Sequence, residues 1–325
     1  MKDSKKWKSR LLSSSIPLEY EVAKILSDLD FSVSFDYSYF RKEGERRKEF
    51  STDIKGYFLF PIDSEDKIDA SLTLLTECKY RDESKKWVFL PDVNKSDFST
   101  FTLGNTIKSL AEFSLKKIDN DLIYEFEEKL DFALKGVEIN ITSGEVFDKD
   151  IRHGISQLKY ALPYLIKRDI ESNIWGHLED TNPPYIISIL VTNAELYILE
   201  DDFSINKIRE VDNIEQLAKK VPYLVYNSEI GPDFTEHHKE IFKDFNLDFE
   251  EEEEEGNLSQ FENFQKKHKH KEYNIYSSPV NKCWELENSH YSTLKEFYSQ
   301  HFICSFEHYP ELVNEIIEIL SKMTK

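Results

Sequence analysis

Three charged residues stand where a strand's apolar pattern should exclude them: Asp53 in STDIKG, and Glu77 and Lys79 in TECKY. Positions i and i+2 of a strand share a face, so Glu77 and Lys79 project to one side and Cys78 to the other, where its thiol is expected to be buried and inert. If the strands carrying Asp53 and Glu77 are neighbours, two carboxylates and an ammonium group converge on one patch of sheet. Charges are kept out of sheet interiors unless they are paired or bind a metal. Oxygen donors of this kind suit magnesium, with manganese able to substitute. The ion would neutralise phosphate charge and lower the pKa of a bound water. Lys79 would orient or activate that water and stabilise a pentacovalent phosphate, so the chemistry expected is hydrolysis of a phosphodiester. The plain alternative is a cross-strand salt bridge between Glu77 and Lys79 on a solvated face, with Asp53 capping a turn.

The elements that would position these groups are legible from residue spacing. Ser15 as N-cap and Pro17 in the first turn open a helix that carries Leu18, Val22, Ile25, Leu26 and Leu29 on one face. Phe31, Val33, Phe35, Tyr37 and Tyr39 then alternate with Ser32, Ser34, Asp36 and Ser38, the period of a half-buried strand. A polar turn, RKEGERRK, leads to two further strand-like runs, Phe50 to Phe60 and Ala70 to Tyr80, joined by the charged turn PIDSEDKID. Trp87 to Leu90 reads as a fourth strand or an extension of the third. The next stretch predicts a helix over Thr106 to Lys117, another over Leu122 to Leu134, and a short strand at Gly136 to Ile141. Ile155, Leu158, Ala161, Leu162 and Leu165 define a helix interrupted by Pro163, and Tyr185 to Leu190 and Leu196 to Leu199 read as buried strands.

A helix, a hairpin bearing Asp53 and a strand ending in Glu77-Cys78-Lys79 together resemble the PD-(D/E)xK nuclease superfamily, and more closely its Mrr-like restriction endonuclease branch. Two further motifs carry the resemblance: Leu18-Glu19-Tyr20-Glu21-Val22-Ala23 in the opening helix, and Gln157 with Tyr160 in ISQLKYAL. It implies catalytic roles for Asp53, Glu77 and Lys79. It also implies a further metal-site carboxylate at Glu19, preferred over Glu21 on the phase of the motif, and a polar group near the scissile phosphate at Gln157. Thr52 replaces the proline of the superfamily's name, and the interval from Lys79 to Gln157 requires an insert. The expected fold is therefore α/β: a restriction-endonuclease-like core over about 16–200, with a mixed central sheet flanked by helices and a helical insert at about 92–150. A basic segment, 1–15, precedes the core, and an α-rich C-terminal region, 201–325, follows it.

A formal net charge of −20 argues against a partner as acidic as nucleic acid, since a polyanion needs Lys and Arg opposite its phosphates. The charge is unevenly placed, however. Glu250 to Glu255 is an unbroken acidic run, whereas cations cluster at Lys2, Lys5, Lys6, Lys8 and Arg10, at Arg41, Lys42, Arg46, Arg47 and Lys48, and at Lys266, Lys267, Lys269 and Lys271. Cys78, Cys283 and Cys304 are odd in number, the N-terminus is polar and no apolar run is long enough to span a bilayer, so a cytoplasmic protein without membrane contact is expected. Cys283, His290, His301, Cys304 and His308 match no zinc spacing and read as core cysteines and helix-surface histidines. No GxxxxGK[ST], GxGxxG or GxSxG motif occurs.

The amphipathic helix at Glu311 to Lys322 would pack on its own domain or serve a homodimer or partner protein. Trp284, Tyr291, Phe297, Tyr298 and Phe302 suggest a small helical core beside it. The function expected is cleavage of DNA, favoured over RNA by the resemblance alone, with defence against foreign DNA as a setting. Two rivals stay open: a non-catalytic acidic protein that docks a basic partner or mimics DNA on a nuclease scaffold, and an RNA-cleaving effector.

Overall fold

The computed structural model of the chain describes residues 4–44, 46–60, 70–94, 103–110, 113, 121–175, 184–243, 245 and 279–323. The acidic run at 250–255, the lysines at 266–271 and the turn at 61–69 lie outside the described residues, as does most of 111–120.

After a short basic helix, α1 (Ser4–Ser13), α2 (Ile16–Asp28) buries Leu18, Val22, Ala23 and Leu26 at helical spacing. Pro17 sits in the first turn, where a missing N–H costs nothing. Ser15 occupies the N-cap position in a left-handed conformation, φ 64°, but its side chain does not cap the helix. Its Oγ instead accepts the Tyr80 N–H at 3.0 Å, which pins the start of α2 to the end of a core strand.

The predicted strands pair antiparallel: β1 (Ser32–Glu43) with β2 (Arg46–Leu59), and β2 with β3 (Ser71–Lys79). RKEGERRK is not a loop, because both strands run through it and Gly44, at φ +63°, makes the turn. The alternation in β1 serves two layers. Phe31 and Val33 pack with α2, while Tyr37 and Tyr39 belong to the core on the opposite face. A two-stranded ribbon twists strongly enough to cross a sheet edge in this way. Phe35 falls at the crossing and is left 49% exposed.

The described strands form one mixed sheet in the order β1-β2-β3-β8-β12-β11-β6-β4-β9-β10. Here β4 is Lys85–Pro91, β6 Phe132–Asn140, β8 Pro184–Thr192, β9 Glu195–Leu199, β10 Ala218–Val221, β11 Tyr223–Asn227 and β12 Gln300–Ser305. Short β5 (Lys108–Ser109) pairs with β8, and β7 (Val146–Phe147) with β6. On one face lies α4 (Lys149–Trp175), which runs through Pro163 without a break, together with α6 (Pro232–Phe242) and the pair α7 (Pro279–Glu287) and α8 (Tyr291–Tyr298). The other face carries α2, α3 (Asp121–Glu127) and α9 (Tyr309–Met323). The six-residue α5 (Ile205–Glu210) buries none of its side chains.

Several expectations are corrected. The described part of 92–150 is not only helical: Lys108–Ser109 is a strand and α3 stops at Glu127, so Phe132 and Ala133 belong to β6, while the rest of the helix expected at Thr106 to Lys117 lies largely outside the described residues. β4 does not extend β3, from which it lies five strands away in the sheet, paired with β6 and β9. The region after 200 is not only α-rich, since β11 and β12 fill the middle of the sheet. No separate aromatic core forms there: Phe297 and Tyr298 join one layer of the main core and Phe302 the other, with Trp284 and Tyr291 exposed. The apolar face of α9 (Leu312, Val313, Ile316 and Leu320) is fully buried in this chain and cannot serve a partner. Each such side chain contributes about 1.5–3 kcal/mol.

Candidate active site

The β2–β3 ladder ends at Ile54↔Thr76. One residue on, Asp53 and Glu77 come level, and the Cys78 N–H donates to Asp53 Oδ2 at 2.6 Å in place of a ladder bond. Cys78 itself is 1% exposed on the α2 side, with its thiol pushed up by burial, as an inert core cysteine should be. β3 continues parallel to β8 as far as Lys79↔Thr192, and the Thr192 hydroxyl donates to the Lys79 carbonyl at 2.8 Å. The charged corner thus lies at the carboxyl ends of two parallel strands, where open α/β sheets receive ligands.

Lys79 Nζ donates to Glu77 Oε1 and, at 3.2 Å, to Gln157 Oε1 on α4. The Gln157 amide is oriented by its own donation to the Ser51 carbonyl on β2, at 3.0 Å. Gly154, one turn earlier, lets α4 approach closely: a Cβ there would stand 2.6 Å from the Leu190 side chain on β8. The structure therefore brings Asp53, Glu77, Lys79 and Gln157 together, although Gln157 lies far from the others in sequence.

The corner is short of positive charge. Glu77 is 0% exposed, and burial and the nearby Asp53 push its carboxyl up to about 8. Its Oε2 is buried without a hydrogen-bond partner, a costly state for a carboxylate. Burial raises Asp53 as well, outweighing the Cys78 N–H and Lys79. Glu19, half-buried in the first turn of α2, is raised to about 7 by burial, Asp53 and Asp36. Glu21 on the same helix is exposed, which decides between the two glutamates on geometry.

Asp36 was not singled out from the sequence. It falls on the polar phase of β1, but at φ 56° in the ribbon's crossing it adds its charge to Glu19 and Asp53. Its strand signal was that of a solvent-facing residue, and only the left-handed backbone marks it out.

The donors at this corner are oxygen atoms alone: three carboxylates held at raised pKa, one of them with an orphaned oxygen. Among the described residues, no group of three His, Cys, Asp or Glu side chains is gathered closely enough to hold a metal ion. The C-terminal cysteines and histidines are no rival centre. Cys283 and Cys304 are buried, and His301, expected on a helix surface, is fully buried in β12 and bonded to Ser188 at 2.8 Å. His290 and His308 pair with Ser292 and Glu311. Tyr160 turns away from Lys79 to donate to Asp233, with the Arg41 guanidinium 3.7 Å above its ring.

Comparison of the chain with protein-family models, with curated proteins and with solved structures returns no match. No helix among the described residues is long and apolar enough to cross a membrane.

Proposed function

We propose that this chain is a magnesium-dependent phosphodiesterase that cuts nucleic acid, with DNA the favoured substrate. The observation that carries the reading is Glu77: a fully buried carboxylate with one orphaned oxygen, level with Asp53 and bonded to Lys79. A salt bridge kept for stability would have both oxygens satisfied.

Asp53 and Glu77 would hold the cation, with Glu19 at the rim. Magnesium or manganese, when bound, would neutralise phosphate charge and lower the pKa of a water molecule. The rest falls to the chain's own groups. Lys79 has three N–H donors and spends two, on Glu77 and Gln157. The third is available to a water or to a non-bridging phosphate oxygen. Gln157, fixed by Ser51, sets the direction in which Lys79 points. Negative charge building on the phosphate would meet a donor already in place.

The test is cleavage of plasmid DNA, linear DNA and RNA by the purified chain with magnesium, manganese or EDTA, beside Asp53→Ala and Lys79→Ala. Metal-dependent cutting that falls by about 10²–10⁴-fold in both folded variants is expected. No cutting of any substrate, or undiminished cutting by Lys79→Ala, would overturn the reading and favour a non-catalytic acidic scaffold.

A further inference from the structure

Beside the Lys79 corner, and sharing α4 with it, lies a cavity of about 560 Å³. Ser156, next to Gln157, lines it, and so does His153, whose ring feels the charge of Lys79. Its charged lining is Arg41, Lys149, Arg152 and Lys159 against Asp148 and Glu229. Both acids are already engaged. Asp148 pairs with Arg152 at 3.2 Å, and Glu229 is drawn to Lys295 at 3.1 Å. Lys149 and Lys159 have no carboxylate within ion-pair distance among the described residues. The hydrogen bond of Lys159 goes to the Glu229 backbone carbonyl at 3.0 Å. Burial and Arg41 lower the Lys159 ammonium to about 8, a cost that a bound anion would relieve.

Arg41 is both a wall of this cavity and the base of the β1–β2 arm. Along the arm, Arg41 stands opposite Lys48 and Lys42 opposite Arg47. Asp233 answers Arg41 at 2.7 Å, so the pair that folding leaves unexplained is Lys42 opposite Arg47, since like charges directly opposite each other destabilise a hairpin. Arg47 is further steadied by stacking 4.4 Å above the Phe40 ring. In a chain of net charge −20, residues 41–49 carry five cations against Glu43, Glu45 and Glu49, a local excess of positive charge, or track, that begins at the cavity and runs outward.

We infer that the cavity seats backbone phosphates of a nucleic-acid strand next to the one being cut, and that the β1–β2 arm carries the same strand away from the corner. The inference rests on the phosphodiesterase reading for its placement of the scissile bond. A free nucleotide would fill the cavity and leave Lys42 and Arg47 on the arm without a role.

Binding of labelled single-stranded and duplex oligonucleotides, followed by fluorescence anisotropy in EDTA from about 50 to 300 mM salt, tests it. Two variants report separately: Lys149→Glu with Arg152→Glu in the cavity, and Lys42→Ala with Arg47→Ala on the arm, all at exposed positions and each checked for unchanged melting. Each double variant is expected to weaken binding about tenfold or more and to lower the salt slope by about one per cation removed. Wild-type protein that binds neither oligonucleotide, or variants with unchanged affinity and slope, would overturn the inference. So would displacement of the strand by ATP with the arm variant indistinguishable from wild type, which would mark a free-nucleotide pocket. The two readings fail separately. Metal-dependent cutting with unaltered binding in both variants removes the track and leaves the enzyme, whereas track-dependent binding without cutting removes the enzyme and leaves the track.

Discussion

Two clusters of cross-strand charge sit at opposite ends of the same sheet, and they behave in opposite ways. At the far end, Lys86 reaches Glu195 at 2.7 Å and Glu215 at 2.9 Å, while Lys220 takes the other oxygen of Glu195 at 2.8 Å. Hydrogen bonds from Lys220 and Lys86 bring Glu195 down to about 2. At the near end, Glu77 and Glu19 stand at about 8 and about 7 with Lys79 as the nearby cation. The far end is what a structural ion-pair network looks like: every acid has a base, and each carboxyl stays ionised. The near end has more acid than base, out of water. A protein gains nothing in stability from that arrangement, and the shortfall is what a divalent cation would make good.

The largest expected effect follows from the opposite signs. Glu77 and Glu19, held above their ordinary 4.5, support folding below that value, and the support is lost as pH rises through about 7 and 8. In EDTA, thermal stability should therefore fall between pH 5 and 8.5, by at most about 1.4 kcal/mol per pH unit for each group. Magnesium should restore more of it at pH 8.5 than at pH 6, because the ion competes with the protons. Glu77→Gln should flatten the profile and abolish the magnesium increment, as read by melting at each pH. A profile unchanged by Glu77→Gln would mean that the two ends of the sheet do not differ in the way described.

Packing should give a smaller effect. Gly154→Ala places a methyl group 2.6 Å from Leu190 and should cost about 1–3 kcal/mol in chemical denaturation. It should also slow any cleavage by displacing α4 and with it Gln157. The smallest effect belongs to the far end. Glu195 is partly exposed, so Glu195→Gln should cost under about 1 kcal/mol. That loss should appear at neutral pH and vanish as pH falls from 4.5 toward 2, the reverse of the near-end window, with cleavage rates untouched.

What the sequence revealed of this contrast was whatever strand and helix periodicity encode. The i, i+2 spacing put Glu77 and Lys79 on one face, but Asp53 would join them only if its strand was their neighbour, which spacing does not decide. Glu19 was preferred over Glu21 on the motif of the resemblance, because both flank the apolar stripe of α2. The helix carrying Gln157 was equally plain, but its contact with Lys79 came only by resemblance, since nothing local ties residues so far apart. Asp36 was hidden by a backbone angle that no periodicity reports. The segment after Asp92 was misread because short strands such as β5 carry almost no pattern and α3 gives way to β6 within a few residues. Nor could spacing reveal that β12 lies between β8 and β11, because strand order is set by long-range packing rather than by local sequence.

That placement of β12 has a consequence for how the protein comes into being. Among the described strands, Gln300–Ser305 makes the hydrogen-bonded link between β3 and β8 on one side and β11, β6 and β4 on the other. The joining strand is therefore synthesised after every strand it links, and until it arrives the halves depend on packing such as that of α4 against β3, β8 and β6. Until then β8 has only the short β5 pairing at Tyr185 and Ile186 on that edge, and Ile189–Thr192 stand without their strand partner. The nascent chain accordingly passes through a long interval in which it needs protection from aggregation and in which the corner around Lys79 stands on an incomplete sheet.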